Sequence, residues 1–363
     1  MTSPQASPET PFRIEDLTAD WVEWALRPSG ALPDGSRVTA VTTTPVGERG
    51  GVNGDAFRLA VAYEGRPGPD RLIAKFGTPG VRGVAVFQGW YEREVRFYEQ
   101  FATRTPLRTP RAHAVALGGP GECVLLLEDL APRVQGDQEA SCSAEQALAA
   151  ARALGTMHAH WWDSPEVEAA EWLPDTTVGL TRAGRVAGAF AHGLEASRAY
   201  LALEVGAARE RLAAAYVPLL EAIARPPRTL THGDFRLDNL FFSDGDPVEV
   251  AAIDWQFTCR TRGAYDLAYF LGLDLEPADR PAVETACIEA YLEALRARSI
   301  SYKRAEFERD YDIALLASLA VFTIGAASPS PNPRMDRVHV QGIERLSAAI
   351  VARGALGVLD SLD

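Results

Sequence analysis

Thr231-His232-Gly233-Asp234-Phe235-Arg236-Leu237-Asp238-Asn239 is the densest polar run in the chain, and Leu240, Phe241 and Phe242 follow it directly. A second stretch is Ala251-Ala252-Ile253-Asp254-Trp255-Gln256, in which Asp254 follows Asp234 by twenty residues. Ser243-Asp244-Gly245-Asp246-Pro247 between them has the composition of a hairpin turn. The chemistry these residue types suggest is phosphoryl transfer. One carboxylate can orient an attacking hydroxyl and accept its proton. A second carboxylate and an amide oxygen on neighbouring strand ends suit Mg²⁺, a hard cation that takes few protein ligands besides the phosphates. Catalysis would then be mostly positioning and charge neutralisation. Asp234 is the candidate base, and Asn239 and Asp254 are the candidate metal ligands.

The two stretches, HGDFRLDN and IDWQ, resemble the catalytic and metal-binding motifs of the aminoglycoside phosphotransferase and choline kinase-like superfamily, closest to its ecdysteroid-kinase-like branch. The pattern His-x-Asp-x-x-x-x-Asn falls on His232, Asp234 and Asn239, and the later metal-binding aspartate falls on Asp254. The resemblance covers roughly residues 40–300; the tail beyond carries no recognised motif. It implies an α+β, bilobal, protein-kinase-like fold. Residues 12–130 would form a nucleotide-binding lobe of antiparallel sheet with one main helix, and residues 131–363 a mainly helical catalytic and acceptor-binding lobe. The hinge would lie near 128–134.

Protein kinases share the Asp-to-Asn spacing. This chain has His-Gly-Asp in place of His-Arg-Asp, Asp254-Trp255-Gln256 in place of Asp-Phe-Gly, and no Ala-Pro-Glu segment. Those departures point to a small hydroxylated acceptor. Arg236, two residues after the base, is placed to neutralise the γ-phosphate; an ion pair with Asp238 or Asp266 is the alternative.

Upstream, the resemblance assigns Lys75 to the α- and β-phosphates and Glu94 to its ion pair. Glu94 shares a helix face with Phe97 and Tyr98, an aromatic pair suited to anchoring the inward side. The Gly-rich segment 47–54, with Gly50 and Gly51, would turn over the phosphates, since glycine backbone approaches a nucleotide closely. Cys123–Leu130 resembles the hinge strand, where the backbone from Glu128 to Leu130 would bind the base. The implied cofactors are ATP (or GTP) and Mg²⁺. Asp266 would order the catalytic loop through loop N–H groups or Arg236, and His158 and His232 would brace the loop. A catalytically silent nucleotide-binding module is the competing reading.

Hydropathy patterning supports this order. Thr18 can cap a helix with Trp21, Trp24 and Leu26 on its apolar side. Phe57, Leu59, Val61 and Tyr63 alternate on one face of a strand, and 71–76 reads as the next strand. Helices are predicted over 84–102, 143–161, 194–224, 264–273, 281–298, 303–325 and 335–353. Residues 164–190 give no clear pattern. Trp255, Tyr265, Tyr269, Phe270 and Phe322 suggest an apolar surround for the acceptor.

Composition sets the outer bounds. A chain of 363 residues, 47% apolar and 23% charged, allows about two lobes with cores of their own. Its formal charge of −13 argues against a nucleic-acid partner. No apolar run is long enough to span a membrane. The four cysteines form no CxxC pair, so zinc-ribbon and redox motifs are absent. Residues 1–11 read as a disordered arm without the apolar core of a signal peptide. The expectation is a cytoplasmic monomer or homodimer.

Overall fold

Thr18 opens the first helix as its sequence requires: its hydroxyl accepts the Trp21 N–H at 3.1 Å. The computed structural model describes residues 8–46, 55–77, 89–177, 183–328 and 332–362. It divides into two units. Unit 1 comprises residues 1–105, 109–132 and 254–257; unit 2 comprises 106–108, 133–253 and 258–363.

Unit 1 holds α1 (Ala19–Leu26), β1 (Arg37–Pro45), β2 (Asp55–Glu64), β3 (Arg71–Phe76), α2 (Trp90–Gln100), β4 (Ala112–Leu117) and β5 (Cys123–Glu128). The five strands form one antiparallel sheet in the order β1-β2-β3-β5-β4. Alternation sorts its two faces. Leu59, Val61, Leu72, Ala74, Phe76, Val124 and Leu126 pack against Trp21, Val22, Ala25 and Leu26 of α1. Lys75 falls between Ala74 and Phe76 and so leaves this core. Trp24, expected inside, is 41% exposed. The buried stripe of this short helix runs through 21, 22, 25 and 26, which turns position 24 outward.

Unit 2 holds β6 (Val134–Gln135), α3 (Ala144–Trp161), α4 (Pro165–Ala169), α5 (Ala183–Ala196), α6 (Leu203–Ala207), α7 (Arg209–Ala224), β7 (Thr229–Thr231), β8 (Leu240–Phe242), β9 (Val250–Ala252) and β10 (Cys259–Thr261). Four helices complete it: α8 (Ala264–Asp274), α9 (Arg280–Arg296), α10 (Arg304–Ala326) and α11 (Pro333–Arg353). Helix α8 is buried on nearly every side and lies against α10 and α11. The helix expected across 194–224 is broken. The chain leaves helical geometry after Ala196, and the Ala202 N–H bonds Ser347 Oγ at 2.6 Å, a docking that a continuous helix would deny it.

Helix α3 crosses α9 at Gly155. A Cβ there would stand 2.8 Å from both Ala294 Cβ and the Tyr291 carbonyl oxygen. Alanine normally gains about 1 kcal/mol over glycine inside a helix. Here the clash with backbone outweighs that gain, and Gly155→Ala is expected to cost about 1–3 kcal/mol in a urea melt. A more stable variant would contradict this packing.

Among the described residues, no helix is long and apolar enough to cross a membrane. All four cysteines are free thiols, and Cys123, Cys259 and Cys287 are buried.

Candidate active site

In unit 1 the polar centre is Lys75. Its Nζ lies 2.9 Å and 2.7 Å from the two oxygens of Glu94 on α2, and 2.9 Å from Asp254 Oδ1. Glu92 and Glu99, the other acids of that helix, face Arg96 instead. Burial alone would push the Lys75 ammonium down, but the Asp254 and Glu94 carboxylates hold it above its usual range. Phe97 and Tyr98 are buried on the same helix. The Phe97 ring stacks on Trp255 at 3.7 Å with 9° between planes, which fixes the residue next to Asp254. Asp254 itself has φ +64°, a left-handed conformation that aspartate tolerates better than most residues.

The strand end at Glu128 is tied at both groups. Its N–H donates to the Arg111 carbonyl at 2.9 Å, and its side chain accepts the Arg111 N–H at 2.9 Å. Leu130 is buried. Gly50 and Gly51 lie outside the described residues, as does most of the segment before Trp90 on which the helix 84–102 was expected to begin.

In unit 2 the chain turns from β7 into the loop 232–239 through Gly233, whose φ of +83° suits glycine alone. Asp266, buried in the first turn of α8, accepts the His232 N–H at 2.7 Å and the Gly233 N–H at 2.9 Å. Of the two roles expected for Asp266, it therefore serves the loop N–H groups rather than Arg236. His232 Nε2 donates to the Ile253 carbonyl at 2.9 Å while Nδ1 accepts the Asp234 N–H at 3.3 Å. That pairing fixes one neutral tautomer and makes His232 a brace. His158 is likewise enclosed, between Tyr291 Oη at 2.9 Å and Asp266 at 3.3 Å.

Asp234 accepts from three side chains. Arg236 Nε lies 3.1 and 3.2 Å from its two oxygens, Asn239 Nδ2 donates to Oδ2 at 2.9 Å, and Tyr269 Oη donates to Oδ1 at 2.7 Å. Asn239 Nδ2 also reaches the Asp234 carbonyl at 2.9 Å. With Nδ2 so engaged, Oδ1 is the atom that Asn239 can offer a cation. Arg236 takes the Asp238 partner as well, at 3.0 Å, and Gln138 Oε1 at 2.9 Å. Burial would lower the Arg236 guanidinium, but Asp234 and Asp238 keep it firmly charged.

Sequence reasoning missed three contributors, Asp274, Gln138 and Arg334, and placed Tyr269 beside the acceptor rather than on Asp234. Tyr269 had a signal, since it follows Asp266 by one helical turn and so faces the same loop. Asp274, at the other end of α8, accepts the Leu237 N–H at 3.0 Å. Arg334 grips Asp238 from the last long helix. Of the aromatic residues expected around the acceptor, Trp255, Tyr269, Phe270 and Phe322 are buried and Tyr265 is half-buried.

Burial pushes the Asp274 carboxyl well above the ordinary range, against the pull of the Leu237 N–H. A carboxyl raised by folding favours the fold while protonated. Its contribution is complete below the unfolded value and is lost as pH rises through the folded one. Asp274→Asn keeps an acceptor for Leu237 and removes the ionisation. Its melting temperature is expected to exceed that of the wild type at about pH 8 and to lose this advantage near pH 4. A difference that does not change with pH would contradict the assignment.

Among the described residues, no group of three His, Cys, Asp or Glu side chains could hold a metal ion. A Mg²⁺ site here would rest on a mixed donor set of one amide oxygen and one carboxylate. The amide oxygen of Asn239 and the carboxylate of Asp254 are hard oxygen donors of the kind such an ion accepts.

The sequence profile of the phosphotransferase enzyme family matches residues 64–302. Several solved structures share the fold. A protein of Ralstonia eutropha JMP134 assigned to the aminoglycoside phosphotransferases is 14% identical, with a TM-score of 0.58, covering 92% of this chain and 98% of its own. The choline kinase of Cryptosporidium parvum Iowa II is 10% identical, with a TM-score of 0.53 and coverages of 89% and 93%. The macrolide 2'-phosphotransferase of Brachybacterium faecium is 15% identical, with a TM-score of 0.50 and coverages of 88% and 96%. No curated protein matches.

Proposed function

The chain belongs to the phosphotransferase enzyme family, and from that premise we propose that it transfers the γ-phosphate of ATP to a hydroxyl of a small organic molecule. One observation carries the reading: Asn239, five residues after Asp234, turns its Nδ2 onto the Asp234 carboxylate and keeps its amide oxygen for a cation.

Asp234 is the base. The acceptor oxygen forms the new bond to the γ-phosphorus as the bond to the β-phosphate oxygen breaks. Its proton passes to Asp234, and ADP leaves. Arg236 neutralises γ-phosphate charge. Lys75, held between Glu94 and Asp254, presents its ammonium to the α- and β-phosphates. The backbone from Glu128 to Leu130 meets the base. Asn239 and Asp254 would hold Mg²⁺, which would supply positive charge to offset that of the phosphates.

The acids near the loop bear on the acceptor. Asp137, Glu139 and Asp238 are each engaged by Arg334. Arg236 also pairs with Asp238 and Arg337 with Glu139, and carboxylates already paired with arginine offer less to a polycation, which favours an uncharged hydroxylated acceptor over an aminoglycoside. The test is ADP release across aminoglycosides, macrolides, nucleosides and polyols. Turnover confined to aminoglycosides would overturn the acceptor class. Nucleotide binding with no transfer to any acceptor would favour the silent module.

A further inference from the structure

We propose that Arg334, on the C-terminal helix α11, is a positioning residue for phosphoryl transfer: by clamping Asp238 it holds Arg236 against Asp234. The inference rests on the reading of Asp234 as the base. It gives a helix beyond the matched residues 64–302 a part in the chemistry.

Arg334 Nη1 and Nη2 donate to Asp238 Oδ2 and Oδ1, both at 2.8 Å, a two-pronged grip. Such charge-assisted forks fix geometry as well as charge. The same guanidinium reaches Asp137 at 2.9 Å and Glu139 at 3.1 Å. Its root is equally fixed, because the Arg334 N–H caps onto Asn332 Oδ1 at 3.0 Å and Pro333 stands at the first helical position.

Asp238 Oδ2 is the shared atom. It takes Arg334 Nη1 on one side and Arg236 Nη1, at 3.0 Å, on the other. Arg236 then extends Nε to both oxygens of Asp234. A chain of alternating charge thus runs Arg334, Asp238, Arg236, Asp234. While Arg334 holds Asp238 side-on, Arg236 can give Asp238 only one nitrogen and keeps Nε for Asp234. Without Arg334, Asp238 is left with Arg236 as its cation, and the guanidinium turns to pair with it fully. Asp234 then loses the donor that aligns it.

The test uses the full chain with Mg²⁺ and ATP, water serving as acceptor. Arg334→Gln is expected to lower kcat for ATP hydrolysis about tenfold with the KM for ATP within about twofold. Arg334→Lys, which keeps the charge but not the fork, recovers part of the loss. Asp238→Asn removes the carboxylate that competes for Arg236, so it is expected to cost less than Arg334→Gln, and the double variant to recover to the level of Asp238→Asn. A folded Arg334→Gln with unchanged kcat, or losses that multiply, would overturn the proposal. A second readout is independent of turnover: the Arg236 Nε–H resonance, assigned through Arg236→Lys, should be protected in the wild type and lost in Arg334→Gln. An unchanged resonance overturns the positioning role. If instead Asp234→Asn keeps full turnover, the base reading fails, and the resonance alone decides Arg334.

Discussion

Asp234→Asn is expected to lower turnover by about 10³-fold while ADP binding in the presence of Mg²⁺ stays within about twofold. The substitution preserves shape and removes charge and basicity. It also disturbs local bonding: Asp234 Oδ2 accepts from Asn239 Nδ2, and an amide NH₂ at that place would set donor against donor. Arg236 Nε and Tyr269 Oη can still share the remaining oxygen, so the loop is expected to stay in place through Asp266 and Asp274. A coupled assay for ADP release reads the first effect, and calorimetry with ADP reads the second. Wild-type turnover would remove Asp234 from the role of base. Loss of nucleotide binding together with activity would make the effect structural.

Lys75→Met carries the second large effect, and it acts on stability as well as activity. Glu94 is 1% exposed, and Asp254 lies on the other side of the same ammonium. Removing the cation leaves two carboxylates facing each other with Glu94 buried. Breaking a buried pair on one side costs about 3–5 kcal/mol, because the remaining charge is uncompensated. The KM for ATP is expected to rise alongside. Glu94→Gln added to Lys75→Met should restore much of the stability and none of the nucleotide affinity. Denaturant melts of the single and double variants check this. A Lys75→Met protein as stable as the wild type would mean that Lys75 does not neutralise this site.

What the sequence revealed, and what it did not, follows the range of the forces involved. Thr18, and Ser143 at the start of α3, announce their helices because a cap acts within three residues. The alternation at Leu59 and Val61 places a strand because pleat and burial share a period of two. Asp234, Asn239 and Asp254 stood out as candidates because such side chains have little reason to cluster beside an apolar run. Lys75 and Glu94 were legible only through family resemblance, since nothing local ties a strand lysine to a helix acid nineteen residues on. Arg334 left no trace: its partner Asp238 is ninety-six residues away, and an arginine after proline reads simply as a helix start. Trp24 misled because a helix of eight residues can bury a narrow stripe and leave its second tryptophan in solvent. Asp274 was hidden in an apolar helix, where its only external sign is the loop N–H it serves.

The most direct test is calorimetric titration of ADP, with and without Mg²⁺, into the wild type, Asn239→Leu and Asp254→Asn. Two side chains serving one cation beside the phosphates should make wild-type binding depend on Mg²⁺, and either substitution should abolish that dependence. Nucleotide binding indifferent to Mg²⁺ in the wild type, or a dependence that survives both substitutions, would contradict it.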